Sequence, residues 1–139
     1  MSDPQTIRLA PRVKRPTETK LTRRTLVALN RLPDVRALRN NVGKLHDERG
    51  VPVRYGLGNG SPDIVGIITW RVASRALAVP FGIEMKLPDA RGSPAHLARQ
   101  RAWRMVALTR GMFCAEARSV QQAVDLVTEW RATIAQLLT

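Results

Sequence analysis

Apolar positions recur at helical spacing in three stretches of this chain, and between them as short runs rich in β-branched residues. From Thr17 to Leu32, Leu21, Leu26, Val27, Leu29 and Leu32 form one stripe, with Lys20, Arg23, Arg24 and Arg31 mostly off it. Pro16 precedes this stripe and Pro33 stops it, which predicts a helix between them. Its only acid, Glu18, falls in the first turn, where the helix macrodipole favours a carboxylate. Val35 to Arg39 predicts a first strand, running into Asn40-Asn41-Val42-Gly43. Those asparagines and Arg39 either reach a substrate or make a turn. Lys44 to Gly60 is polar and carries Gly50, Gly56, Gly58 and Gly60 around Tyr55, so a flexible loop is expected. Asp63 to Trp70 and Leu77 to Lys86 then predict two strands of a hairpin, joined through Arg71 to Ala76.

Beyond a loop from Leu87 to Ser93 the helical spacing returns. Ser93 as N-cap and Pro94 as first helical residue open a helix to about Arg110, ended by Gly111, with Leu97, Trp103, Val106, Ala107 and Leu108 to bury. Met112 to Ala117 predicts a buried strand. Ser119 and Gln122 form a capping box for a last helix ending near Leu138. Its apolar positions are Val120, Ala123, Val124, Val127, Trp130, Ile134 and Leu137, more than one face needs, so it either closes the core or offers a dimer surface. Helix, three strands, helix, strand, helix is the order of an α/β fold, a mixed β-sheet flanked by α-helices.

Composition narrows this picture. A chain of 139 residues suits one domain, and 44% hydrophobic against 4% aromatic residues predicts a mainly aliphatic core. Residues 1–16 set Arg8, Arg12, Lys14 and Arg15 among Pro4, Pro11 and Pro16, the pattern of a basic flexible N-terminal arm ahead of a folded domain over 17–139. The 23 Lys+Arg against 11 Asp+Glu leave a formal charge of +12, which calls for a polyanionic partner. The excess leans to arginine, whose planar fork suits phosphate, so DNA is the expected partner. No segment approaches the ~20 apolar residues that span a bilayer, and the start of the chain has no signal-peptide core. A cytoplasmic location without membrane attachment is expected. Cys114 is the single cysteine, which excludes an internal disulfide or a cysteine-based zinc site.

The candidate chemistry lies between Gly60 and Lys86. Hydrolysing a phosphodiester requires a nucleophilic water, neutralised charge on the phosphoryl oxygens and help for the leaving alkoxide, much of which a hard divalent cation held by carboxylates supplies. Asp63 at a strand start and Glu84 near the end of its partner can converge on one ion. Lys86, two residues on, shares the face of Glu84, and Met85 between them offers its backbone carbonyl as a further metal ligand. The plainer alternatives are that Asp63 caps a turn after Pro62 and that Glu84 and Lys86 form an ion pair. Arg36, Arg39, Arg54, Arg99 and Arg104 are the candidate phosphate contacts, with Asn40 beside them. His46 and His96 are expected at the surface, since no third soft ligand stands at zinc-like spacing. Asp89 and Glu116 are expected to be bystanders, and Cys114 a core residue.

Pro62-Asp63 followed by Glu84-x-Lys86 resembles the PD-(D/E)xK nuclease signature. A longer run matches too: Arg39-Asn40-Asn41-x-Gly43, Tyr55-Gly56-x-Gly58-x-Gly60-Ser61-Pro62-Asp63-Ile64-x-Gly66, Gly82-Ile83-Glu84-x-Lys86, then Gln100, Trp103 and Gly111. From about Thr17 to Val127 the chain resembles the VRR-NUC family in the compact stand-alone form carried by bacteriophages. The resemblance implies a restriction-endonuclease-like sheet, with Asp63 and Glu84 holding magnesium or manganese and Lys86 as catalytic lysine. It further implies Gln100 as a supporting residue and Glu18 as an additional carboxylate. Stand-alone members are similar to Holliday-junction resolvases acting as homodimers, so the implied function is a structure-selective endonuclease for branched DNA such as a four-way junction. The alternatives are a sequence-specific restriction-type nuclease, a flap nuclease, or a basic DNA-binding protein without chemistry.

Overall fold

The computed structural model describes residues 17–139, so the predicted N-terminal arm lies outside the described residues. Thr17 caps the first helix, α1 (Glu18–Asn30), its hydroxyl accepting from Lys20 N. At the other end of α1 the Asn30 side chain donates to Ala37 O and accepts from Ala37 N, at 3.0 and 2.9 Å. It thereby supplies the partner that the outer edge of β1 (Val35–Arg39) would otherwise lack. The chain continues through β2 (Gly43–His46), β3 (Pro52–Tyr55), β4 (Ile64–Val72), β5 (Arg75–Met85), α2 (Pro94–Thr109), β6 (Phe113–Ala117) and α3 (Val120–Leu138).

A four-stranded sheet runs β1-β4-β5-β6, antiparallel except where β6 joins β5 in parallel across the α2 crossover. The coarse expectation of a mixed sheet with flanking helices therefore holds. The hairpin of β4 and β5 is longer than expected, because a two-residue turn joins Val72 to Arg75 directly. Ala73 takes the positive φ of 52° that such hairpin turns require. Lys44 to Gly60 is not a plain loop, since β2 and β3 pair there as a separate two-stranded sheet. Both of its sides are exposed, so it carries none of the burial pattern that marks a strand in sequence.

Alternation along the strands divides the two faces of the main sheet. Ile64, Ile68, Phe81, Ile83, Met85 and Ala117 join Leu29, Val127 and Ile134 in one core under α1 and α3. Trp130 lies over two of the strands, 5.5 Å from the Phe113 ring and 5.9 Å from the Phe81 ring. Gly66 leaves room for the Phe81 ring, which a Cβ there would strike. The last helix thus closes the core, though Leu137 and Leu138 near its end stay exposed. The opposite face carries α2, which is buried at Gln100 and Ala107 while Val106 and Leu108 stay exposed, contrary to expectation. Its contact with the sheet is narrow and polar at its centre, so only one turn in the middle and one near the end are covered.

Because Trp130 bridges α3 to two strands, Trp130→Ala is expected to cost about 3–5 kcal/mol. A matching fall in the urea unfolding midpoint, with an unchanged m-value, would check this.

Candidate active site

The site grows out of the place where the β4–β5 ladder ends. Ile64 pairs with Ile83 as its last pair. One further step sets Asp63 across from Glu84, and the next sets Pro62 across from Met85. Residues directly opposite share a face, so the two carboxylates are neighbours on the α2 side of the sheet. The Asp63 carbonyl accepts from Asn40 N at 2.7 Å, tying this bend to β1. The Asp63 side chain then accepts from Met85 N through Oδ2 at 2.8 Å, taking the donor that a continued ladder would have used. Pro62 has no N–H to offer, which leaves the Met85 carbonyl without a ladder donor. Gly82 makes this approach possible, since a Cβ there would come within 2.6 Å of Pro62 Cγ.

Lys86 continues β5 by one residue, its N–H donating to Ala117 O at 2.9 Å, so its side chain falls on the face of Glu84. The Nζ lies 3.6 Å from Glu84 Oε1, with 8% and 9% of the two side chains exposed. Gln100 reaches down from α2 and donates to the same Oε1. Gly60 brings the preceding loop against the α2 backbone here: its φ is +85° and a Cβ would strike Arg99 O. The Gln100 Nε2 also lies 2.9 Å from His96 Nε2. Since the amide nitrogen is a donor, a neutral His96 accepts through Nε2 with its proton on Nδ1. Gln100 Oε1 is left buried without a partner. The flipped amide would set that oxygen against the Glu84 carboxylate instead, which is worse.

Asp63, Glu84 and Gln100 form the floor of an open groove of about 590 Å³, with Glu18, Arg39, Lys44, Arg54, His96 and Arg99 around it. Burial lifts the Glu84 carboxyl from its ordinary 4.5 to about 7, with the Asp63 charge adding to the rise and Lys86 opposing it. Asp63 is also raised by burial, against the Met85 N–H, the charges of Lys86 and Arg39, and His96 when its ring is protonated. Two carboxylates are thus held side by side, short of the solvation their charges need. Asp63 Oδ1, Glu84 Oε2 and the Met85 carbonyl are the oxygens left without protein donors. Asp63 Oδ1 and Glu84 Oε2 suit a hard divalent cation and fill only part of its shell, leaving places for water and phosphate, while the Met85 carbonyl belongs to a fully buried residue that does not line the groove. Glu18 is near enough to raise the Glu84 carboxyl further. Among the described residues no three His, Cys, Asp or Glu side chains converge on one point, so the two carboxylates alone carry this fit.

Asp63, Glu84, Gln100 and Glu18 all line the groove, whereas Lys86 is buried behind Glu84 and does not itself line it. Arg39, Arg54 and Arg99 line it as well, but Arg36 and Arg104 do not. Arg36 stands opposite Ile67 in mid-strand, and Arg104 lines a small void with Cys114 beneath the site. Asn40 is committed elsewhere. Its amide donates to Ser61 Oγ and Pro62 O, both at 2.8 Å, and accepts from Leu57 N at 3.2 Å, so it clamps the loop that carries Asp63. His96 is exposed, as expected, but it also lines the groove. Its position four residues before Gln100, one turn back on the same helix face, is the sequence signal that could have found it. Lys44 was also overlooked, hidden in the stretch expected to be a loop. No family model, no curated protein and no solved structure matches the chain.

Glu84 binds its proton more tightly folded than unfolded, so its contribution to stability is full below pH 4.5 and is lost as pH rises to about 7. The loss is on the order of 3 kcal/mol. Metal-free protein is expected to melt lower at pH 8 than at pH 5, with Glu84→Gln flattening that difference and added magnesium or manganese reducing it. The imidazole nitrogen shifts of His96 at pH 8 are expected to show Nδ1 protonated and Nε2 bare.

Proposed function

We propose that this protein is a divalent-metal-dependent, structure-selective DNA endonuclease of the VRR-NUC kind, hydrolysing phosphodiester bonds in branched DNA such as a four-way junction and acting as a homodimer. The observation that carries the reading is the arrangement at the ladder's end. Two carboxylates face each other across it, a buried lysine shares their face, and arginines and a lysine surround the groove above. A structural ion pair does not account for a second carboxylate beside it whose burial is only partly relieved. A solvated basic surface does not account for Arg39, Lys44, Arg54 and Arg99 around those acids.

In this reading DNA phosphates lie along the groove, held by these cations without reference to sequence. Asp63 and Glu84 present Oδ1 and Oε2 to the metal site. A bound magnesium or manganese ion supplies charge neutralisation at the phosphoryl group and a water of lowered pKa. Gln100 holds the Glu84 carboxylate in one orientation and leaves Oε2 free. Lys86, kept beside Glu84 Oε1, places a positive charge where the phosphoryl oxygens gain negative charge in the transition state. In the balanced reaction a P–O bond to water forms and the P–O bond to one sugar breaks. One proton of the water passes to the leaving oxygen, giving a hydroxyl and a phosphate monoester. Among the described residues no helix is long and apolar enough to cross a membrane.

In magnesium or manganese the protein is expected to cut a four-way junction faster than linear duplexes of the same sequences. Asp63→Asn and Lys86→Ala should each lower the rate by about 100-fold or more while DNA binding persists. Absence of cutting by the unaltered protein in both metals would overturn the enzyme reading, and equal rates on junction and duplex would overturn the preference for branches.

A further inference from the structure

The paired strands β2 and β3 form a ribbon that the cleavage chemistry does not use and the core does not need. Every residue in it except Gly43 is exposed. Its register makes the two sides chemically unlike. Leu45 opposite Val53 and Gly43 opposite Tyr55 make one side, while Lys44 opposite Arg54 and His46 opposite Pro52 make the other. On the apolar side Leu45, Val53 and Tyr55 are 63%, 48% and 42% exposed. The Tyr55 ring lies across Gly43, where a Cβ would collide with it.

A lone two-stranded hairpin is marginal in water, and this one is held from its two ends. At the tip, Asp47 Oδ1 accepts from Arg49 N and Val51 N at 2.9 and 2.8 Å. At the base, Asn40 ties Leu57 and Ser61 to the strand that leads into the ribbon. The ribbon is therefore aimed from beside Asp63, and Lys44, Arg54 and Tyr55 line the groove that contains the carboxylates.

We propose that the β2–β3 ribbon is the branch-recognising element of the protein, its Lys44 and Arg54 side holding backbone phosphates along the groove while Tyr55 at the groove's edge, with Leu45 and Val53 beyond it, receives unpaired or unstacked bases. This rests on the nuclease reading and names the substrate class within it. Leucine and valine cannot hydrogen-bond, so this side does not read base edges in an intact duplex. Every base has an apolar face, and aromatic and aliphatic side chains bind such faces without regard to sequence. Inserting them costs least where stacking is already interrupted, which is at a branch point. A second copy of the chain docked ribbon to ribbon fits poorly, because it would bring Lys44 and Arg54 of one copy close to the same residues of the other.

The test measures binding in EDTA, so that cleavage does not enter, by fluorescence anisotropy on a four-way junction and on linear duplexes of the same sequences. Circular dichroism first establishes that each variant keeps the fold. Leu45→Ser with Val53→Ser, and separately Tyr55→Ala, should lower the junction-to-duplex affinity ratio by about tenfold, the size of one lost base contact. Tyr55→Phe should restore the ratio. With 5-iodouracil at the branch-point nucleotide, irradiation should cross-link the unaltered protein at the ribbon. An unchanged ratio in both variants, a cross-link elsewhere, or dissociation of a dimer in the variants by sedimentation would each overturn the proposal. Junction binding that depends on the ribbon, with no cutting in either metal, would end the nuclease reading and leave branch recognition standing. Cutting of junctions unaffected by ribbon variants would do the reverse.

Discussion

Like charges facing each other at the end of a β-ladder are unfavourable unless something replaces the water they have lost. The β4–β5 register imposes this on Asp63 and Glu84, and much of the surrounding structure answers to it. Gln100 and Lys86 both converge on one Glu84 oxygen, and the Met85 N–H takes one Asp63 oxygen. Each carboxylate keeps one oxygen uncommitted. Relief is partial, and Glu84 holds a proton to about pH 7 as a result. Stability alone would favour apolar residues at such positions, so the arrangement costs the fold some free energy.

The neighbours of the carboxylates are fixed by small exclusions more than by strong attractions. Pro62 withholds a donor, Gly82 withholds a Cβ, and Gly60 lets a loop touch the backbone of α2. Asn40 then binds three separate points of the same loop. None of these residues carries chemistry of its own. Together they hold Asp63 at one height relative to Glu84, the precision that a site built partly on a bend would otherwise lack.

Much of this was legible in the chain because it rests on periodicity. The helical stripes, the β4–β5 hairpin and the shared face of Glu84 and Lys86 all follow from spacing, and so does the Ser119 cap. The β2–β3 ribbon was not legible, because strands exposed on both sides have no buried face to reveal them. Lys44 was missed with it. Asn40 was left open between a substrate contact and a turn for a different reason: an asparagine after a strand looks the same in sequence whether it faces solvent or ties down a loop. Val106 and Leu108 were expected inside because apolarity is a one-way guide to burial. Their exposure follows from α2 meeting the sheet through Gln100, Trp103 and Ala107, which leaves the other sides of the helix uncovered.

The parallel pairing of β5 with β6 has a consequence for the order in which the site is assembled. Asp63 and Glu84 come together through a local hairpin, which forms early because little loop entropy opposes it. The Lys86 backbone is anchored by Ala117, beyond the whole α2 crossover, and Gln100 lies within that crossover. A chain emerging from the ribosome would thus pair its acids well before it gained the lysine anchor and the glutamine. The fold withholds the complete cluster of Asp63, Glu84, Lys86 and Gln100 until β6 has docked.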